Sequence, residues 1–177
     1  MTSKLIVDSI EGRTGSTVSL PQDSNYALDQ WRLNTNFTGD NTVNTGWERP
    51  DHTGHGRIGT GMTESSGVFT FPSTGLWMVT TNVRIFVKDN DTTAQVALKL
   101  STDGGSSSAN IASIQEGDSS SGDTNKTGSS TSLINVTNIS NFQVFLKTSS
   151  FASGTALVGD TGENVTTLTF ERKGPSQ

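Results

Sequence analysis

The chain is predicted to fold as an all-β antiparallel sandwich, and three features of its sequence say so. The segment Gly75–Val87 alternates strictly, with Trp77, Val79, Thr81, Val83, Ile85 and Val87 on one face and Thr80, Asn82 and Arg84 on the other. A period of two sustained this long belongs to a half-buried strand. Clusters of Gly, Asn, Asp and Ser interrupt the other short apolar runs, each with its own turn chemistry. No segment sustains a 3.6-residue apolar period. About ten short strands separated by turns suit two packed sheets, for which the double-sheet jelly roll is one main solution.

Taken in order, residues 1–22 stand apart. Leu5 and Val7 flank Ile6 in a short run, Glu11–Ser16 turns, and Val18 and Leu20 alternate before Pro21 ends the segment. This predicts a strand–turn–strand arm ahead of a head domain over residues 23–177. Strands are then predicted at Ala27–Asn34, Gly56–Met62, Val68–Phe71, Gly75–Val87, Thr93–Leu100, Asn110–Gln115, Leu133–Val136, Phe142–Lys147, Thr155–Val158 and Val165–Arg172. Pro72-Ser73-Thr74-Gly75 turns into the longest of them. Lys88–Asp91, Asp103-Gly104-Gly105 and Asn138–Asn141 are predicted to close hairpins. Two stretches read as irregular: Asn36–His55, with Trp47 as its one large apolar anchor, and the low-complexity loop Glu116–Thr131. Loops of that length in compact domains usually carry function or move.

Composition narrows the classes. At 177 residues and 18.7 kDa the chain makes one domain plus the arm. Only 30% of it is apolar, against about 45–50% in ordinary globular chains, while Ser and Thr exceed a quarter. The core is therefore thin, or partner subunits complete the burial. A net charge of −5 lacks the basic footprint of a nucleic-acid binder. No apolar run is long enough to span a membrane, and Asp8 and Glu11 interrupt what would be a secretory signal. The absence of cysteine excludes disulfides, thiol catalysis and thiolate metal sites.

Chemistry-bearing motifs are few. His52-Thr53-Gly54-His55, between Asp51 and Arg57, offers two imidazoles, which a metal site would have to supplement; a solvated turn explains them equally. Asp89-Asn90-Asp91 opens like a calcium loop, but neither the glycine nor the glutamate that such a loop needs follows. The six Asn-x-Ser/Thr triplets, including Asn36, Asn125 and Asn164, are expected by chance in so polar a chain. There is no nucleophile elbow, phosphate-cradling loop or His-Glu-x-x-His. No catalytic, cofactor-binding or metal-ligating residue is assigned, and the chain is read as a non-enzyme. Trp31 alternates with Leu33 and is read as core, whereas Trp47 either caps the sandwich or stacks on a sugar. The candidate receptor contacts are Trp47, His52, His55, Asp118 and Asn125, all on predicted loops. Leu5, Ile6, Val7, Val18 and Leu20 are the candidate partner contacts of the arm.

Phe69, five residues, Gly75, one residue and Trp77 resemble the aromatic signature of the trimeric jelly roll shared by the complement globular heads and the tumour-necrosis-factor group. The resemblance spans Trp31 to Arg172. Trp77 stands where that group usually has Tyr, Val79 where Phe is common, and Leu168-Thr169-Phe170-Glu171 lacks the closing Phe-x-Gly. The resemblance implies a homotrimer of three sandwiches around an apolar axis, an arrangement that suits a thin core. The leader SKLIVDSIEGRTGSTVSLP resembles a segment that precedes fibre or appendage modules in tailed-phage virion proteins, especially those of marine cyanobacteria. Together they imply a virion structural protein, made in the host cytoplasm: a tail-fibre or fibre-tip module for host attachment. A capsid decoration trimer and a carbohydrate-binding module are the alternatives. The implied partners are further copies of the chain, other virion proteins through the arm, and a host surface glycan or protein.

Overall fold

The computed structural model describes residues 26–177. The predicted arm, with Leu5, Ile6, Val7, Val18 and Leu20, lies outside the described residues. These fold into twelve strands with no helix among them: β1 (Leu28–Leu33), β2 (Phe37–Thr38), β3 (Trp47–Glu48), β4 (Thr63–Ser65), β5 (Val68–Thr70), β6 (Gly75–Val87), β7 (Ala94–Ser101), β8 (Ala109–Glu116), β9 (Thr124–Val136), β10 (Gln143–Ser149), β11 (Ala156–Leu157) and β12 (Thr167–Gly174). Two antiparallel sheets result. The first runs β3-β1-β12-β6, and the thirteen residues of β6 pair with β9 along their whole length on the other side. Where β12 ends, β11 takes over the same edge of β6 and β2 continues beyond it. The second sheet is β4-β5-β10-β7-β8. This is the predicted jelly-roll sandwich.

The core forms where the two inner faces meet. Along β6 burial alternates without a break, so Trp77, Val79, Val83, Ile85 and Val87 point inward as their spacing predicts. Phe69 on β5 is the hub: Trp31, Trp47 and Phe170 lie 5.3–5.4 Å from it, the two tryptophans edge-on. Edge-to-face contacts of this kind add about 0.5–1.5 kcal/mol each beyond the area buried. A thin core thus gains from a few large rings meeting at one point.

Three predictions fail, each for a physical reason. Gly56–Met62 is not a strand. Only Ile58 bridges to Leu28, Gly59 turns at φ +67°, and a Cβ on Gly61 would lie 2.4 Å from the Asp29 carboxylate. Pairing starts at Thr63, and Ser66-Gly67, both at positive φ, close the β4–β5 hairpin with a primed two-residue turn. The low-complexity loop Glu116–Thr131 is strand from Thr124 onward, because β6 supplies a continuous partner and exposed Ser, Thr and Asn are at home on a solvated face. Finally, Lys88–Asp91 and Asn138–Asn141 reverse the chain without closing hairpins. Their flanking strands lie in different sheets, so each turn crosses the sandwich. Only Asp103–Gly105, between β7 and β8, joins paired strands as predicted.

Candidate functional site

The residues predicted to meet a receptor fall into separate places. Trp47 is not a surface residue. It begins β3 opposite Leu33, is 8% exposed, donates its indole N–H to the Val43 carbonyl at 2.8 Å, and packs on Phe69. It caps the core, and a ring so covered cannot stack on a sugar. His52 and His55 are exposed on the loop that follows β3, their ring centroids 6.1 Å apart. The His52 ring meets the Gly162 carbonyl, and the His55 N–H donates to the His52 carbonyl. Asp118 is half-buried in the short loop before β9, its carboxyl held below the usual range by the hydroxyl and N–H of Ser120. Asn125 is not on a loop but on β9, opposite Phe86. Strands β3 and β9 are opposite edges of the first sheet with β1, β12 and β6 between them, a separation of roughly 19 Å. The structure pairs His52 with His55 and keeps both apart from Asn125.

Charged residues that sequence reasoning passed over organise the β1 edge. Asp29 points inward from β1 between Ala27 and Trp31 and is 1% exposed. Its two oxygens accept from Arg49 Nε and Nη2 at 2.9 Å each, Trp31 Nε1 at 3.0 Å and the Met62 N–H at 2.8 Å. Arg49 lies 4.2 Å over the Trp31 ring and donates again to the Met62 carbonyl. One buried carboxylate therefore ties β1, the chain after β3 and the start of β4 together. The readable signal was an aspartate at an inward position of an alternating run, because buried carboxylates are almost always paired.

On the outward face, Arg32 is nearly as buried. It donates to Glu48 and Asp51, while Asn34 holds the second oxygen of Glu48. Burial opposes its charge, but Glu48 and then Asp51 more than restore it, and its pKa is raised. Its Nη1 takes no partner among the described residues.

The same outward face carries an apolar row. Register aligns Leu133 of β9, Met78 of β6, Glu171 of β12, Leu28 of β1 and Ile58 across the sheet. Leu133 is 65% exposed, Ile58 47% and Tyr26 44%, and these are three of the four exposed large apolar side chains among the described residues. Tyr26 donates to Glu171, which also pairs with Lys173 at 2.7 Å. One row further along, Gln30, Thr169, Thr80 and Thr131 form a hydrogen-bonded polar band.

No family model and no curated protein sequence matches the chain. Solved structures do. The chain is similar to murine APRIL at pH 5.0 (TM-score 0.60, 12% identity, covering 84% of this chain and 100% of that one). It is similar to murine APRIL at pH 8.5 with TM-score 0.58, 13% identity and the same coverage. It is also similar to Eiger TNF from S. frugiperda, with TM-score 0.58 and 13% identity over 86% of this chain and 95% of that one. At such identity the likeness shows the fold, and the fold is the TNF-like jelly roll.

Proposed function

We propose that the protein is a non-enzymatic structural module that assembles as a homotrimer through the outward face of its first sheet. In a tailed-phage virion it serves as an appendage module for host attachment. The row Leu133–Met78–Glu171–Leu28–Ile58 with Tyr26, apolar except at Glu171, carries this reading, because a monomer gains nothing by exposing its large apolar side chains to water. Strands β6 and β9 run thirteen residues, about 43 Å, and the face is about 15–20 Å wide. That is the scale of a standard interface, near 800 Å² per partner. The Thr and Gln side chains of the polar band already bond to one another, so little is lost when they are covered. The leader in residues 1–22 supports the virion setting, and the deeply embedded trimer would complete a core that holds few apolar residues.

Sedimentation equilibrium on the full chain tests the assembly. Wild type should run at three times its 18.7 kDa mass, and Leu133→Asp should run as a folded monomer with the same circular dichroism. A wild-type monomer at micromolar concentration rejects the trimer. Antibody labelling of virions in the electron microscope tests the setting: label on tails supports the appendage, and label on heads supports decoration instead.

A further inference from the structure

Strand β1 is paired unevenly along its outer edge. It bridges β3 at Arg32 and Ile58 at Leu28, and the residue between them, Gln30, faces a gap. Leu28 uses both its N–H and its C=O on Ile58. By strand alternation the N–H and C=O of Gln30 point the same way, into the gap. A cavity of about 140 Å³ occupies it, lined by Gln30, Arg49, Pro50, His55 and Arg57 together with Asp29. A more open hollow of about 340 Å³ adjoins it across Arg49 and Arg57, with Trp31 in its wall.

The charges there are arranged for an anion. Asp29 accepts four hydrogen bonds and is neutralised by Arg49, so its carboxylate is spent internally. Arg49 uses Nε and Nη2 on Asp29 and Met62, and its Nη1 takes no partner among the described residues. Arg57 has no hydrogen-bond or ion-pair partner among the described residues. With Arg49 balanced by Asp29, Arg57 leaves the smaller hollow one net positive charge in a chain of net charge −5, while Glu64 lines the larger hollow and accepts from the Gly67 N–H. A guanidinium fork suits a planar carboxylate, which it binds through two parallel bonds. The remaining groups, one backbone donor, one backbone acceptor and the His55 imidazole, suit hydroxyls, and Trp31 and Pro50 supply a short apolar wall.

We propose that these two hollows bind an acidic saccharide, its carboxylate held by Arg57 in the smaller one and the neighbouring sugar unit in the larger. This deepens the attachment reading, on which it rests for its biological use, but it needs neither the trimer nor the virion in order to be tested. The full-length protein is titrated with galacturonate trisaccharide, with a neutral glucose trisaccharide and with a short polyglutamate, by isothermal calorimetry at low and high salt. Galacturonate should bind, more weakly as salt rises, and the neutral sugar should not. Arg57→Ala should lower galacturonate affinity about 10- to 100-fold without changing the melting temperature, since the side chain is exposed and unpaired. Arg57→Lys, which keeps the charge but loses the fork, should fall between the two. Absence of galacturonate binding, equal binding of the neutral sugar, an unaffected Arg57→Ala, or preference for polyglutamate would each overturn the site. None of these outcomes bears on the sedimentation result, so this site and the trimer fail separately.

Discussion

Asp29 gathers four donors onto two oxygens, and it is the acceptor for the buried Trp31 and Met62 N–H groups. Replacing it with Ala strands Arg49 beside Trp31 and leaves the Met62 N–H without its acceptor. Removing one partner of a buried ion pair typically costs about 3–5 kcal/mol, so Asp29→Ala should shift the urea midpoint strongly downward. Two other carboxylates link stability to pH. Burial pushes the Asp91 carboxyl up, but hydrogen bonds from the Thr155 hydroxyl and the N–H groups of Ala152 and Thr93 outweigh this and hold it below its usual range. The Ser107 hydroxyl and N–H, with the Ser101 hydroxyl, hold Asp103 down to about 2. Both groups give up their protons more readily folded than unfolded. The stability they contribute is complete above the unfolded carboxyl value near 3.9 and drains away as pH falls toward 2. Urea titrations at pH 6, 4 and 2.5 should show this loss, and Asp91→Asn, weaker at pH 6, should lose less over the same span. At this scale the sequence was partly legible. Trp31 was readable because it alternates with Leu33, whereas Trp47 stayed open between capping and sugar stacking, because its neighbours Gly46, Glu48 and Arg49 are polar and its pocket comes from Val43 and Phe69.

Among the elements, β6 and β9 are matched in length and opposite in legibility. The limits of β6, Gly75–Val87, follow from apolar residues at every second place. Its partner β9 alternates just as regularly in burial, but between one polar residue and another until Leu133, so hydropathy carries no period there. What fixes β9 is nonlocal: thirteen register pairs with β6 and a close seat against β8, where Gly128 leaves room for the Ile114 side chain. A Cβ at position 128 would come within 2.3 Å of Ile114 Cγ2. Hydrogen exchange distinguishes such a strand from a solvated loop. Every second amide of 124–136, those facing β6, should be protected, while the alternate amides on the open edge exchange freely. Uniformly fast exchange through this segment would return it to the loop that its composition suggests. The β4–β5 hairpin was overlooked for a simpler reason: Ser66-Gly67 is a two-residue turn signal, but the runs it joins are too short to stand out.

At the level of the whole molecule, the jelly-roll class was legible from the number of strands, their turns and the aromatic spacing, whereas the routing was not. Turn chemistry announces that the chain reverses without saying which sheet it enters next. The routing has a consequence in time. β1 near the start of the described chain pairs with β12 near its end, Leu28 meeting Glu171. β12 in turn lies between β1 and β6, so the first sheet stays split until the final strand is laid in. Only β4–β5 and β7–β8 join strands that are neighbours in sequence, and loop-closure entropy makes the rest slow to find. During synthesis, nascent chains ending before Thr167 should stay open to protease, with at most the β4–β5 and β7–β8 hairpins forming locally. Chains released through Gly174 should become resistant in a single slow step. For residues 26–177, the sandwich cannot close until β12 has left the ribosome.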